Sequence, residues 1–484
     1  MPITAAEQYL IELINRARLD PQAEADRNVD LAGDINRFNT GTDLGNHSRA
    51  PLAMNNALSN AAADHSQHMI AVDAFAHSGI GDGNPQSRAN DAGYDPTDNT
   101  PYVGENISRR GSSGNIDLDN AIDSHHNGLV KSFGHWNNML RDNYREIGVG
   151  QEAGQYTSGG RTWNGSHLTE KFGSDFSSTF LTGVFYNDAD ENNFYGIGEA
   201  IGGQFISVAG RGDVAAAAGG YDITITGLSD WQTVSYANMN VSVQLQGVNV
   251  KLDIVNLSEV HTSTNIVVQS GVAEVHLLGR EDLSVTGGNA AEYIYGNSGA
   301  NTINGAGGTD VMAGGKGNDV YTVDHSSDKV IEKAGEGYDN VYSSVDYILD
   351  PDQEVESVIL TENAVTLRGD NSDNQLFGNG LTNVIDGRGG TDYMLGLGGA
   401  DIFQIGPENG AVDIIGDFSK AEGDRIAFAG FNAATTTVHQ VSVVSFEVRD
   451  ASNGLVQQFQ LFDAYAAPTY SGGALIEGTD YYFG

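Results

Sequence analysis

The sequence predicts a multidomain α+β protein, in which an α/β domain, a strand-rich middle and a glycine-rich repetitive part follow one another. Residues 1–172 contain apolar side chains at helical spacing. Residues 176–285 alternate apolar and polar side chains, as half-buried strands do. From Gly287 onward, glycine recurs every nine residues. The chain has 484 residues, which is enough for about three domains.

The composition limits the partners and the chemistry. The chain has 64 Asp and Glu against 24 Lys and Arg, a formal net charge of −40. Nucleic acid and anionic membrane surfaces need a basic protein face and are therefore not expected as partners. A surplus of carboxylates instead favours bound cations such as Ca²⁺. Cysteine is absent, which excludes disulfides, thiolate zinc sites and thiol nucleophiles. No apolar run is long enough for a transmembrane segment.

The N-terminal domain begins with amphipathic helices. Apolar residues between Tyr9 and Ala17 form one stripe at helical spacing, and this first helix ends before Pro21. A second helix is expected near residues 55–72. The first residues lack the basic start and apolar stretch of a signal peptide, so a cleaved leader is not expected.

Three short motifs with titratable side chains follow these helices. They read Phe75-Ala-His77-Ser78-Gly79, Gly104-Glu105-Asn106-Ile107 and Ser132-Phe-Gly134-His135. In this order they resemble the cysteine-free bacterial branch of the CAP superfamily, which comprises cysteine-rich secretory, antigen-five and pathogenesis-related proteins. The resemblance spans roughly residues 4–172, and the CAP-like domain is expected to occupy residues 1–175. It implies an α-β-α sandwich whose central cleft carries two histidines and two glutamates.

By this resemblance, His77 and His135 are the cleft histidines and Glu105 is the first glutamate. The second glutamate has no secure counterpart, and its place falls on either Ser132 or His126. Two imidazoles and one carboxylate can hold Zn²⁺ with an open position that activates water. The same residues can also form a purely structural hydrogen-bonded arrangement. The cleft is therefore interpreted as a ligand-binding site or, alternatively, as the catalytic site of a metal-dependent, peptidase-like hydrolase.

The middle part, residues 176–285, is expected to form a β-sandwich-like module with a calcium loop. Counted from Asp188, oxygen ligands stand at the first, third, fifth, seventh and twelfth positions, which is the spacing of an EF-hand loop. These ligands are Asp188, Asp190, Asn192, the carbonyl of Phe194, and Glu199. The segment resembles calcium loops of secreted β-sandwich modules. An acidic surface turn is the alternative.

Eight nonapeptides occupy residues 287–322 and 369–404. Each begins with glycine and has an apolar residue in the eighth position. This pattern resembles the RTX repeat, Gly-Gly-x-Gly-x-Asp-x-U-x, in which U is a large apolar residue. The resemblance implies a parallel β-roll over residues 286–430, in which two nonapeptides complete one coil. Residues two repeats apart then lie above one another.

Stacked sixth-position oxygens and turn carbonyls make an all-oxygen site that suits Ca²⁺. We expect several ions but not one per repeat, because only four repeats have aspartate in the sixth position. The predicted ligands in the roll are Asn301, Gly305, Gly307, Asp310, Gly314, Gly315, Gly317, Asp319, Asn383, Gly387, Gly389, Asp392, Gly396, Gly398 and Asp401.

Residues 431–484 are expected to cap the roll and to end in an export signal. The resemblance to RTX exoproteins implies recognition of the C-terminus by a type I secretion apparatus, although the tail also suits an ordinary last strand. The predicted protein is bacterial, secreted and extracellular. Its expected partners are calcium, the exporter and an extracellular ligand, and the hydrolase interpretation adds Zn²⁺ in the cleft.

Overall fold

The computed structural model describes residues 2–27, 47–79, 81–95, 102–175, 177–351, 353–407, 411–451, 454–463 and 470–484. The chain forms two compact units, Met1–Glu281 and Asp282–Gly484. As far as the described residues extend, the helices of the first unit are α1 (Ala5–Leu19), α2 (Pro21–Arg27), α3 (Asn56–Ala71), α4 (Pro85–Asp91), α5 (Leu118–Val130) and α6 (Phe133–Met139). The described residues include no helix long and apolar enough to cross a membrane.

The N-terminal domain is an α-β-α sandwich, as predicted. Its central sheet consists of β1 (Ala53–Met54), β2 (Val103–Ser112), β3 (Glu146–Ser158) and β4 (Arg161–Gly173), in the order β1-β3-β4-β2. One apolar core joins α1, α5 and α6 to β3 and β4. A second core joins α3 and α4 to β2. The helices therefore form one layer on each side of the sheet.

Two local features determine where helix α1 begins and how closely helix α3 packs on the sheet. Thr4 and Glu7 form a reciprocal capping box, which starts α1. Helix α3 lies so close to β3 that a Cβ on Gly148 or Gly150 would be 2.1 Å from a backbone nitrogen of the helix. Glycine at these two positions lets the helix press directly onto the strand.

The middle of the chain is rich in strands, as predicted. Its strands are β5 (Phe180–Tyr186), β6 (Phe205–Val208), β7 (Arg211–Val214), β8 (Gly220–Thr224), β9 (Asp230–Tyr236), β10 (Met239–Leu245), β11 (Val250–Val255), β12 (Glu259–Thr262), β13 (Ile266–Ser270) and β14 (Glu274–Leu277). They lie in two sheets, ordered β13-β10-β9-β6-β7 and β14-β12-β11-β5-β8.

A buried ion cluster joins this middle part to α1 within the first unit. The Nζ of Lys251 lies 2.5 Å from Glu12 Oε2 and 2.7 Å from Asp253 Oδ1. The side-chain amide of Asn249 also donates to the carbonyl of Pro51 at 2.9 Å. The sequence patterns did not predict this packing of the middle strands against the N-terminal domain.

The second unit contains the parallel β-roll and its C-terminal strands. They are β15 (Ser284–Thr286), β16 (Tyr293–Tyr295), β17 (Thr302–Asn304), β18 (Val311–Ala313), β19 (Val320–Val323), β20 (Lys329–Val330), β21 (Asn340–Ser343), β22 (Tyr347–Ile348), β23 (Ser357–Leu360), β24 (Thr366–Arg368), β25 (Gln375–Phe377), β26 (Val384–Asp386), β27 (Tyr393–Leu395), β28 (Ile402–Ile405), β29 (Val412–Ile415), β30 (Arg425–Phe428), β31 (Thr436–Gln440), β32 (Ser445–Asp450), β33 (Gly454–Leu461) and β34 (Tyr481–Phe483).

The roll has the predicted register. Ile294 pairs with Met312 and Ile385 with Phe403, so residues two repeats apart are neighbours in parallel strands. The eighth-position side chains of all eight repeats are fully buried. The segment between the repeat blocks continues the roll, because β21 pairs in parallel with both β19 and β23. Although this segment departs from the nine-residue period, its strands keep the parallel pairing, so the irregular spacing lies in the turns between them.

The end of the chain forms a strand of the roll. Strand β34 pairs in parallel with β30, and its aromatic side chains pack against Phe428. Strand β33 pairs in parallel with β29 and brings Phe459 to the same ring. The tail thus has the position of an ordinary last strand, and its role in export stays a prediction.

Candidate functional site

The three predicted cleft residues line one cleft of about 370 Å³ in the N-terminal domain. Glu105 lies on β2, and its side chain is almost completely buried. His135 lies on α6, and His77 lies in the loop after α3. The Nδ1 of His77 is 3.0 Å from Glu105 Oε1. The structure thus brings together the residues that the motif order indicated, while their chemical role stays a prediction.

Glu105 is held by two basic side chains. Its Oε2 accepts hydrogen bonds from Lys171 Nζ and from Arg88 Nη2, each at 2.7 Å. Burial opposes ionisation of this carboxyl, but the hydrogen bond from His77 and the charges of Lys171 and Arg88 outweigh it, so the pKa of Glu105 is about 2. Glu105 is therefore a fixed carboxylate at neutral pH and a poor general base.

His135 differs from His77 in its hydrogen bonding. Its Nδ1 is buried and has no hydrogen-bond partner among the residues that the structure describes. Burial and the nearby His77 both lower the pKa of His135, so this imidazole is neutral at neutral pH. Asn106 fixes the backbone here by donating to the carbonyl of His135 at 3.2 Å. A neutral imidazole in a cleft can accept or donate a hydrogen bond to a ligand.

Among the described residues, the side chains of the cleft are not grouped closely enough to form a set of three metal donors. A catalytic zinc ion needs about three protein donors around one point. Within the described ranges, the groups of acidic or histidine donors that lie within 4.8 Å of one another are Asp188-Asp190-Glu199 and Asp319-Glu332-Asp339. The cleft residues are not among them. Lys171 and Arg88 also repel a divalent cation from Glu105. Zinc in the cleft stays a prediction.

Several residues of this region were not found from the sequence. Lys171 stands directly opposite Glu105 in the pairing of β2 with β4, a relation that needs the strand register. Of the two candidates for the second glutamate's place, Ser132 lines a neighbouring groove together with His135. His126 is instead buried against Glu24, with its Nε2 3.1 Å from Oε1. A glutamate does lie behind the cleft, since Glu170 accepts a hydrogen bond from Asn106 at 2.9 Å.

The acidic loop of the middle module gathers three of its predicted ligands. Carboxylate oxygens of Asp188, Asp190 and Glu199 lie within 4.8 Å of one another. Backbone N–H groups of Asn192 and Asn193 donate to Asp188 at 3.1 and 2.9 Å, which orients that side chain. Asn193, in the position where an EF-hand has glycine, has a left-handed φ of 58°. Calcium in this loop, and the roles of Asn192 and Phe194, stay predictions.

In the roll, each sixth-position aspartate accepts a backbone N–H from the sixth-position residue of the preceding coil. We call the resulting rows of residues along the roll ladders. One oxygen of Asp310 accepts the N–H of Glu292 at 2.9 Å, and one oxygen of Asp319 accepts that of Asn301 at 2.6 Å. In the second block, Asp392 and Asp401 accept the N–H groups of Asn374 and Asn383 in the same way. The second oxygens of Asp310 and Asp319 are buried and accept no hydrogen bond from the described residues. Such oxygens are available to a cation.

The ladders also explain the first glycine of each complete repeat. A Cβ on Gly305 would lie 2.6 Å from Asp310 Oδ2, and one on Gly314 would lie 2.1 Å from Asp319 Oδ2. Gly387 and Gly396 stand in the same relation to Asp392 and Asp401. The remaining predicted turn ligands, Gly307, Gly315, Gly317, Gly389 and Gly398, lie in the same four turns. Their carbonyls stay predicted ligands.

The ladders extend beyond the repeats, which the sequence pattern did not predict. Asp310, Asp319 and Asp401 donate their backbone N–H groups to carboxylate oxygens one coil further, at 3.0, 2.7 and 2.9 Å. The acceptors are Asp328, Asp339 and Asp424. The first two residues of each ladder stand in nonapeptides but the final acceptor does not, so the period alone could not identify the acceptors.

Replacing Asp310 or Asp392 with alanine is expected to weaken calcium binding more than Glu292→Ala or Asn374→Ala does. The aspartates bring a full charge into turns with complete glycine patterns, and a charged ligand contributes about 1.5–3 kcal/mol, or roughly tenfold to hundredfold in affinity. Calorimetric titration of the four variants measures the difference. Equal losses in all four would contradict the assigned register.

Two family descriptions match parts of this chain. Residues 11–163 match the cysteine-rich secretory protein family, CAP. Residues 286–321 and 368–403 match the RTX calcium-binding nonapeptide repeat. No match is found among the curated proteins. Together the two families indicate a calcium-binding extracellular protein, and they confirm the resemblances inferred from the motifs and the period.

Two similar solved structures each cover about a third of the chain. An extracellular protein containing a SCP domain from Bacillus anthracis is 21% identical, with a TM-score of 0.19, over 31% of this chain and 39% of that protein. An outer surface protein from Borrelia burgdorferi is 12% identical, with a TM-score of 0.19, over 33% of this chain and 95% of that protein. The chain thus spans well under half of the Bacillus protein. The family matches, and not these superpositions, carry the conclusion that this chain contains an N-terminal CAP domain and C-terminal RTX calcium-binding repeats.

Proposed function

We propose that the CAP domain binds an extracellular ligand in the cleft of His77, Glu105 and His135, and that the RTX roll folds with calcium after export. The observation that carries the binding role is the engagement of Glu105 by Lys171 and Arg88 at 2.7 Å each. A carboxylate held in this way orients the exposed imidazole of His77, whose Nδ1 lies 3.0 Å from Glu105 Oε1, so that the other ring nitrogen can hydrogen-bond a ligand. Glu105 itself is a weak candidate for activating water in a hydrolase.

The surroundings of the cleft favour a ligand with an anionic group. Arg141 lines the cleft and lies 5.4 Å from the ring of Tyr102. The neighbouring groove shares His135 and contains Arg109, whose guanidinium lies over the rings of Phe75 and Tyr156 at 4.9 and 4.0 Å. In a chain with a net charge of −40, this local concentration of arginine suits an acidic ligand.

A ligand screen against the full chain tests the binding role. Compounds that bind by ligand-observed NMR are expected to lose about tenfold in affinity in His77→Ala and His135→Ala, because each change removes a hydrogen bond. His439→Ala is the matched control, since His439 lies on an exposed strand of the second unit. The same variants are assayed for peptidase and esterase activity with and without added Zn²⁺. Activity that disappears in both cleft variants but not in the control would support the hydrolase instead.

We further propose that the C-terminal tail directs export through a type I apparatus. A variant without residues 430–484 is expected to be missing from the medium of a host with such an exporter, while the full chain is secreted. Because the tail also packs on Phe428, Phe483→Ala serves as the control that disturbs this packing but keeps the tail. Undiminished secretion of the truncated chain would place the signal elsewhere, and a full chain retained in the cytosol would contradict secretion.

A further inference from the structure

A cluster of buried acids lies where the roll leaves the first block of repeats. Val330 pairs with Met312 in parallel strands, so Glu332 stands one coil above Gly314. In the repeats this position holds the first glycine of a turn, whereas here it holds a carboxylate. The turn that begins at Glu332 ends at Asp339, whose side chain accepts the N–H of Asp319 at 2.7 Å. Glu332 and Asp339 both lie outside the nonapeptides.

Three carboxylates converge at this point. One oxygen from each of Asp319, Glu332 and Asp339 lies within 4.8 Å of the other two. All three side chains are buried, with at most 5% of their surface exposed. Two oxygens bound to one Ca²⁺ are each about 2.3–2.6 Å from the ion, so they can be up to roughly twice that distance apart. The separation of these oxygens therefore suits a single shared ion.

The hydrogen bonds of the cluster leave oxygens without a protein partner. Asp319 accepts the N–H of Asn301 with Oδ1, and Glu332 accepts the hydroxyl of Tyr321 with Oε1. The remaining oxygens, Asp319 Oδ2 and Glu332 Oε2, are buried and accept no hydrogen bond from the described part of the chain. An uncompensated buried carboxylate oxygen is unfavourable, whereas a bound cation compensates it directly.

In the part of the chain that the structure describes, the cluster has no basic partner. Within the described ranges, neither Lys nor Arg forms a salt bridge with Asp319, Glu332 or Asp339. Three buried carboxyl groups at one point, with no basic partner among the described residues, are unfavourable unless a cation compensates them.

We propose that Asp319, Glu332 and Asp339 bind one Ca²⁺ at a site that the interrupting segment, and not the repeats, completes. Three hard oxygen donors in a buried turn favour calcium over zinc, which takes nitrogen and sulfur ligands as well, and over magnesium, which usually keeps several waters. The site deepens the proposed calcium-dependent folding of the roll and rests on it. The bound ion would join the coil that contains the last nonapeptide of the first block to the next coil, which lies outside the nonapeptides.

The test is the number of calcium ions bound by the full chain, measured by equilibrium dialysis with metal analysis. Glu332→Gln is expected to bind one ion fewer than the unchanged chain, and calcium is expected to raise its melting temperature less. Glu336→Gln removes the same charge from the same turn and is expected to keep every ion. Tyr321→Phe removes the hydrogen bond to Glu332 and the one from the N–H of Gly314, but no carboxylate, and is also expected to keep the ion.

The outcomes separate this site from the rest of the roll. If Glu332→Gln binds as many ions as the unchanged chain, the site does not exist, whatever the variant's stability. If Glu336→Gln loses an ion equally, the loss reflects general charge and also overturns the proposal. If the unchanged chain binds no calcium in the roll, the proposed function of the roll fails as well. If Glu332→Gln does not fold, Asp339→Asn provides the same count and must again lose one ion.

Discussion

Removing calcium from the full chain is expected to unfold Asp282–Gly484 while the CAP domain stays folded. In the roll, buried carboxylates stack coil upon coil, as Asp310 and Asp319 do on Asp328 and Asp339. Without cations these charges repel, and the glycine-rich turns cost conformational entropy to order. The CAP domain has an apolar core of its own, formed by its helices and sheet. Loss of calcium is therefore expected to unfold the second unit and to leave the CAP domain folded.

The distribution of tryptophan makes this prediction easy to measure. Trp136, Trp163 and Trp231 all lie in the first unit. Chelation is expected to remove the β-sheet signal of the roll from the far-ultraviolet circular dichroism and to leave the tryptophan emission maximum of the chain unchanged. Restoring calcium is the control and should return the dichroism signal. A roll that keeps its dichroism in chelator would contradict the prediction, as would tryptophan emission that shifts together with it.

The stability of the calcium-free roll is expected to fall as the pH rises from about 4 to about 7. Burial, followed by the repulsion of neighbouring carboxylates, outweighs the backbone hydrogen bonds and raises the pKa of Asp319 and of Asp401 to about 7. The same causes raise that of Asp424 to about 6. Because these groups bind protons more tightly in the folded state, the stability that protonation gives is complete below the unfolded pKa. It is lost as the pH passes the folded pKa.

Calcium should reverse this trend, because only the deprotonated carboxylates bind the ion. Thermal unfolding of calcium-depleted full chain, followed by circular dichroism, is expected to show an unfolding transition of the roll at pH 4. This transition should move to lower temperature as the pH rises, until the calcium-free roll is unfolded without heating at pH 7. With calcium present, the melting temperature should rise over the same interval. Replacing Asp319 and Asp401 with asparagine should flatten the calcium-free profile. If the stability of the calcium-free roll instead rises with pH, the prediction is wrong, and groups other than calcium must stabilise the buried carboxylates.

The fold of the roll could be predicted from the sequence in detail, because its determinants are local and periodic. A glycine in the first position leaves room for the sixth-position carboxylate, as Gly314 does for Asp319. An apolar residue in the eighth position of each repeat faces the interior, and all eight are buried. The resemblance to the RTX repeat implies that two nonapeptides complete one coil, and with this the period predicts the register. The grouping of the cleft residues was implied by the resemblance to the CAP superfamily, which rests on three motifs in the family's order.

What the sequence by itself determined is therefore the class of each part and the residues that recur in fixed patterns. Only the tertiary structure decided which charged side chains lie next to Glu105 in the cleft and next to Asp319 in the roll. Lys171 meets Glu105 through the register of β2 with β4, and Glu332 meets Asp319 because one turn lies above another. Neither contact can be predicted from a periodic pattern in the sequence, because each depends on how separate elements pack. Periodicity reports which side chains are buried, whereas the charge of a site depends on which buried side chains meet.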